Sequence, residues 1–425
     1  MVLASFSSEA QTYLSYTPYS FYGIGDIPTP GTAYNKSMGG VGIASRNHQY
    51  INPLNPAAVT ARDSLAFMAD FSVYADNKIL DQTNMRSASN TFNINDLILS
   101  FPIWKSSAMM LGIIPFSGIG YGYKASNEDP QIVSQTYGIN YSAVGQGAMY
   151  QAFAAAGVTF FKKLSLGVQF NLMFGEAVRE YYVTFSNSVF NGIQNGHDLQ
   201  LYSPSWKFGL QYEQPIGKQS SLIFGATYRM KAKLKGEIES YKFSTGTVTD
   251  TLYYNNIEYS GKEGVSLASE TGLGLCYKYS DKLMVEFDYT ISDWTVSKFN
   301  TTAGLAANTE AGALVFTPAV SQAFRLGLEY TPNRNDIRYY FKKCAYRAGA
   351  YYKKEYYCVD GHPIIAKGIT VGATLPIFRW YNGLTLGLEV GTRGTMDYDL
   401  IKETYFNISA GINIFDIWFQ KPRYE

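Results

Sequence analysis

Four basic residues fall at alternate positions, Arg229, Lys231, Lys233 and Lys235. Alternate residues of a β-strand share a face. A row of this kind can hold a carboxylate through charge-assisted hydrogen bonds. Arg229 and Lys231 are the two members placed to meet a substrate; Lys233 and Lys235 fit equally a solvated strand end. More often, charges on an inner strand face pair with one another or hold a plug. Glu286 and Asp288 also share a face and read as interior polar residues rather than an acid–base pair. His48, His197 and His362 are scattered without ligand spacing. Neither a phosphate-binding loop, nor a dinucleotide fingerprint, nor a nucleophile elbow occurs. The expectation is a protein that is not an enzyme and uses no cofactor or metal.

The elements that would position these residues are strands. Among 425 residues there are 36 Tyr, 26 Phe and 39 Gly, and only 16% are charged. The net charge of +1 implies no broad basic surface for nucleic acid. No apolar run is long enough for a membrane-spanning helix, but strands that alternate lipid-facing and inward residues have unremarkable average hydropathy. Alternation is plain near the C-terminus. Phe406, Ile408, Ala410, Ile412 and Ile414 oppose Asn407, Ser409, Gly411 and Asn413; Leu384, Leu386, Leu388 and Val390 oppose Thr385, Gly387 and Glu389. The polar face is small and Gly-rich, where a soluble sheet would carry more Lys and Glu. Short turns near 102–105, 162–163, 214–218, 280–282 and 378–382 alternate with long polar segments at 75–90, 124–147, 188–200, 245–259 and 298–319. Short turns on one side and long loops on the other mark an outer-membrane barrel. One strand between consecutive connections gives about fourteen. Three cysteines are too few for a disulfide framework. Cys344 and Cys358 flank one strand, at roughly 3.3 Å per residue too far apart to bridge.

The stretch from Asn35 to Thr60 is different. Gly39, Gly40 and Gly42 precede two Asn-Pro steps, the second being Asn55-Pro56-Ala57. This argues against a long helix or regular strand. Yet the stretch is small and apolar, so it needs walls to pack against. The predicted organisation is a signal-peptide remnant at 1–10, an N-terminal extension and hatch at 11–64, a transmembrane antiparallel β-barrel at 65–419 and a tail at 420–425.

Gly39-Gly40-Val41-Gly42-Ile43-Ala44, followed by Asn55-Pro56-Ala57-Ala58, resembles the hatch of the FadL-like family of outer-membrane transporters. The fourteen-strand count agrees over nearly the whole chain. Gly391-Thr392-Arg393-Gly394-Thr395, Leu400-Ile401-Lys402-Glu403 and Trp418-Phe419-Gln420-Lys421 are similar to the ending of one branch; the final Lys-Pro-Arg-Tyr-Glu departs from the usual terminal aromatic. The resemblance implies passive uptake of long-chain fatty acids or other hydrophobic compounds across the outer membrane of a Gram-negative bacterium. It implies lateral exit beside a kinked third strand. Pro115 and Phe116, followed by Gly118 and Gly120, are the expected kink and exit, since proline removes a ladder donor. Met110 and Ile114, facing inward, would line an oily path. The partners expected are outer-membrane lipid and a hydrophobic small molecule. The alternative is a FadL-like barrel acting as an interaction subunit of an outer-membrane secretion or assembly complex, with protein partners.

Overall fold

The computed structural model describes residues 13–62, 66–83, 85–127, 129–187, 189–246, 249–306, 315–377 and 383–417. The expected signal remnant, tail and 378–382 turn lie outside these. Among the described residues the wall consists of fourteen antiparallel strands. These are β1 (Ala66–Gln82), β2 (Met85–Trp104), β3 (Ser107–Asn127), β4 (Ile139–Phe160), β5 (Leu164–Phe185) and β6 (Gly192–Ile216). The seventh, β7, runs Ser220–Arg229 and resumes as Lys235–Thr245; β8 runs Thr249–Tyr259 and resumes as Glu270–Tyr279. The rest are β9 (Leu283–Asp293), β10 (Val320–Tyr330), β11 (Ala345–Val359), β12 (His362–Pro376), β13 (Gly383–Arg393) and β14 (Lys402–Ile417). Each pairs with its chain neighbours, and β1 closes on β14 from Ala66↔Ile417 to Asp81↔Lys402. Closure leaves no outer edge to meet lipid.

The alternation read from the sequence sets the faces. Leu386, Leu388, Phe406 and Ile412 are exposed on the outside, while Thr385, Glu389, Asn407 and Ser409 are buried inside. The interior is a packed core rather than a watery lumen, because residues 13–62 fill it.

Several segments expected as long loops are strand. β1 and β2 meet across a tight turn near Thr83, and the 245–259 segment forms a hairpin. In the 124–147 segment the strands extend to Asn127 and from Ile139, with a short helix at Pro130–Thr136 between. Tyr- and Thr-rich sequence suits the pleat, so an existing ladder extends past the apolar band. The basic row is also interrupted. The break at 230–234 shifts the alternation, burying Ala232 and Leu234 and leaving Lys231 and Lys233 exposed.

Candidate functional site

The hatch is built from its own asparagines. Asn35 Oδ1 accepts from Thr32 N–H and its Nδ2 donates to the Val41 carbonyl at 2.8 Å. Asn52 Nδ2 donates to the Gly42 carbonyl at 2.5 Å. Asn55 Nδ2 donates to the Ile43 carbonyl at 2.7 Å, and its Oδ1 caps the short 3₁₀ helix Pro56–Thr60 by accepting from Ala57 N–H. Gly39 and Gly40 take φ of 73° and 78°, a left-handed backbone that suits glycine. The hatch is then fastened to β9. Asp288 Oδ2 accepts from Gly42 and Ile43 N–H at 2.8 and 3.0 Å; Glu286 Oε1 accepts from Ala44 and Ser45 N–H at 2.8 and 2.9 Å. The pair read as interior polar residues is a clamp for four consecutive amides.

The wall is interrupted at one place. Among the described residues, β2 and β3 pair only from Leu97↔Ile113 to Trp104↔Ser107. Above that level β2 pairs with β1 and β3 with β4. The seam opens beside Pro115, where the β3–β4 register shifts between Pro115 and Ser117 and turns Phe116 inward. The chain's own N-terminal segment fills it. Thr17 N–H donates to the Gly120 carbonyl at 2.8 Å, and Asp26 exchanges both backbone hydrogen bonds with Gly118. Asn93 Nδ2 of β2 donates to the carbonyls of Tyr13 and Leu14. A Cβ at Gly120 would fall on the Ser15 carbonyl. The segment against the kink is therefore 13–26. Asn55-Pro56-Ala57 sits elsewhere, over β4 to β6, with Asn55 Nδ2 donating to the Leu210 carbonyl at 3.2 Å. The side-chain hydrogen bonds of Asn55 go to Ile43, Ala57 and Leu210, not to β3 groups beside the kink.

A buried ion cluster holds this segment. Arg393 reaches Asp26 at 2.5 Å and Glu403 at 2.6 Å. Lys78 lies 2.7 Å from Asp76 and 3.6 Å from Asp26, and Thr17 Oγ1 donates to Glu403. Burial alone would raise the Asp26 carboxyl, but the Arg393 and Lys78 charges hold it well below the usual carboxylate range. Sequence reasoning noted Arg393 and Glu403 only as part of a family-like ending; their charge on an inward face was the available clue.

Two cavities flank the strap Ile27–Gly31. The larger, about 170 Å³, is lined by Ile43, Leu54, Ile114, Phe116 and Trp294, and by Lys207, Arg229, Arg325, Glu270 and Asp288. Arg229 pairs with Glu270 at 3.6 Å and lies 5.6 Å from the Phe116 ring. Lys207 Nζ donates to the Leu54 carbonyl. Of the expected binding residues, Ile114 and Arg229 line this cavity. Met110 is buried against Val59, Ile98 and Phe153 beneath the hatch, and Lys231 is exposed away from it. The smaller cavity, about 80 Å³, lies on the seam side of the strap among Lys36, Tyr74, Asn93, Ile94, Pro115 and Glu389. Burial pulls the Lys36 ammonium down to about 8, with Glu389 and Asp96 opposing the shift. An aromatic group, with Tyr22, Phe316, Tyr356 and Tyr357 among its members, lies inside the tall end of the barrel, the end opposite the turns at 161–163, 217–219 and 280–282.

The fold is a closed fourteen-strand barrel, filled by its N-terminal segment and interrupted beside a bulged third strand. Solved structures agree on the fold. The Pseudomonas putida toluene transporter TodX has a TM-score of 0.60 at 12% identity, covering 93% of this chain and 100% of that one. The Ralstonia pickettii toluene transporter TbuX has 0.59 at 14%, covering 90% and 97%. A Pseudomonas aeruginosa FadL homologue has 0.53 at 12%, covering 92% and 98%. No curated protein matches. The family described as BamG matches residues 1–425, and the chain belongs to it.

Proposed function

We propose that the protein is a passive outer-membrane channel of a Gram-negative bacterium for long-chain fatty acids or other hydrophobic compounds, which leave sideways beside the β3 kink. The carrying observation is the larger cavity: it holds Ile114, Pro115 and Phe116 in its lining at the level where β2 and β3 part. In this reading the short-turn end is periplasmic, and ligand enters through the aromatic group at the tall end. The sequence has no ATP-binding motif, so flux follows the gradient. The hydrophobic substrate class comes from likeness to proteins whose descriptions name toluene and monoaromatic hydrocarbons. The test is uptake of a fluorescent fatty acid and of toluene by vesicles carrying the full chain. Faster uptake than by empty vesicles is expected, slowed by Pro115→Val. Equal rates with and without protein would overturn the proposal.

The second reading is an interaction subunit of an outer-membrane secretion or assembly complex. Trp104, Phe161, Ile337 and Phe341 stand exposed at the short-turn end, as tips that could dock on a partner. Native co-purification separates the two: a stoichiometric protein partner supports this reading, and retained fatty acid supports transport.

A further inference from the structure

Among the described turns at the short-turn end, one stands apart. Those at 105–106, 161–163, 217–219 and 280–282 join their strands in two or three residues. The connection from β10 to β11 takes fourteen, 331–344. It is ordered by its own bonds. Asp336 Oδ1 accepts from the Arg338 and Tyr339 N–H groups at 2.9 and 2.7 Å, and Asn333 N–H donates to the Lys342 carbonyl at 2.8 Å. The Arg338 and Lys342 charges lie 5.2 and 4.5 Å from the centroid of the Tyr339 ring. Yet Ile337 is 94% exposed and Phe341 72%. An ordered turn that holds two large apolar side chains in water gains nothing from them within the chain; such side chains mark a surface that meets something else.

The wall fixes where the turn lies. Tyr346 stands on the outer face of β11, exposed between buried Ala345 and Arg347 and in register with the exposed Tyr330 of β10. Its hydroxyl donates to the Phe341 carbonyl at 3.1 Å. Tyr340 Oη donates to the Pro376 carbonyl at the end of β12, at 2.9 Å. Phe341 is therefore tied to the lipid-facing side of the wall. The turn carries Arg334, Arg338, Lys342 and Lys343 against one carboxylate, Asp336. Thr331 N–H donates to the Lys282 carbonyl at 2.8 Å, which sets a further basic turn alongside. Apolar side chains among cations, continuous with the lipid-facing wall, complement the surface of an anionic leaflet.

We propose that the 331–344 turn is a foot that binds anionic glycerophospholipid in the leaflet at the short-turn end. Ile337 and Phe341 enter the acyl boundary, and Arg338 and Lys342 meet the lipid phosphates through charge-assisted hydrogen bonds. Lipid is favoured over an acidic soluble protein because the turn is bonded to the face of the wall that lipid already covers. The foot needs neither transport nor a protein partner; only the naming of its leaflet as periplasmic rests on the transport reading.

The test is tryptophan quenching. The full chain carrying Phe341→Trp is folded into phosphatidylcholine vesicles that contain a minor fraction of brominated-chain phosphatidylglycerol or brominated-chain phosphatidylcholine. Quenching is read as the increment over the parent chain. Both brominated lipids should quench the new indole, with phosphatidylglycerol preferred about fivefold or more at low salt and less as salt is raised. Adding Arg338→Gln and Lys342→Gln should abolish the preference and keep the quenching, whereas Arg338→Lys with Lys342→Arg should keep both. Heat-modifiable gel migration checks that each variant is a folded barrel. Three results overturn the foot: no quenching increment, equal quenching by the two lipids, or a preference that survives the two Gln substitutions. A fourth would hand the turn to a protein instead: no quenching, together with a soluble partner that co-purifies with the parent chain but not with Ile337→Ser/Phe341→Ser. Uptake of fatty acid or toluene enters none of these readouts, so its failure would count against the transport reading alone.

Discussion

Single residues fasten the plug, and they do so through buried hydrogen bonds and ion pairs beside its apolar contacts. Glu286 and Asp288 between them accept four backbone N–H groups of the hatch. Replacing both by Ala would leave four buried donors without acceptors, each costing about 1–3 kcal/mol. The wall ladder does not use these side chains. The double variant should therefore fold but release its hatch, seen as new protease cuts near Ile43 and larger single-channel conductance. An intact, protease-resistant hatch would show that packing alone holds it. Arg393 acts at the opposite end of the plug. Arg393→Met strands Asp26 and Glu403 in a dry site, and breaking such a buried pair costs about 3–5 kcal/mol. The expected result is a lowered midpoint in urea unfolding from lipid vesicles. An unchanged midpoint would mean that water enters the cluster and screens it.

At the scale of elements, each wall strand has two faces with different physics. Leu386 and Ile412 face outward, while Thr385 is buried inside, its hydroxyl 2.6 Å from that of Thr374. Arg at Leu386 or Ile412 should destabilise by about 2–4 kcal/mol in a bilayer, and less where the lipid layer is thin. Thr385→Arg fails for another reason, overpacking against β12, and its cost should not follow bilayer thickness. Folding titrations in vesicles of two thicknesses distinguish them; parallel responses would mean that the faces are misassigned. The seam strap gives a second element-scale prediction. Val at Gly120 would collide with the Ser15 carbonyl and lift residues 13–17 from β3, so permeability to small apolar dyes should rise. Unchanged permeability would show that the strap does not seal the wall.

For the whole molecule, wall and plug are separable in principle. The ladder closes through β1 and β14 without any residue of 13–62. Deleting Gly39–Ala58 should leave a heat-modifiable barrel with greatly increased conductance. Loss of the folded band would show that the barrel needs its plug as a core, which the bonding of buried Ser165, Gln211 and Thr370 to it makes a real contest.

What the sequence determined by itself is whatever repeats locally. Alternation at a period of two is set by neighbouring residues, so Leu386 against Thr385 and Ile412 against Gly411 were legible without a structure, and so were the fourteen strands. The glycines at 39, 40 and 42 and the two Asn-Pro steps marked an irregular segment, because backbone freedom is also local; the cap that Asn55 makes was not read from them. The Pro115 bulge followed from a missing N–H. Only the tertiary structure decided what touches what across the barrel. It placed 13–26, not 55–57, at the kink, joined Asp26 to Arg393 and Glu403, and set Glu286 and Asp288 under the hatch amides. It also broke the basic row after Arg229, because a five-residue interruption shifts the alternation and turns Ala232 and Leu234 inward. Contacts between residues hundreds of positions apart leave no period in the chain; they are selected by which buried charges and amides can be satisfied together once the wall has closed around the plug.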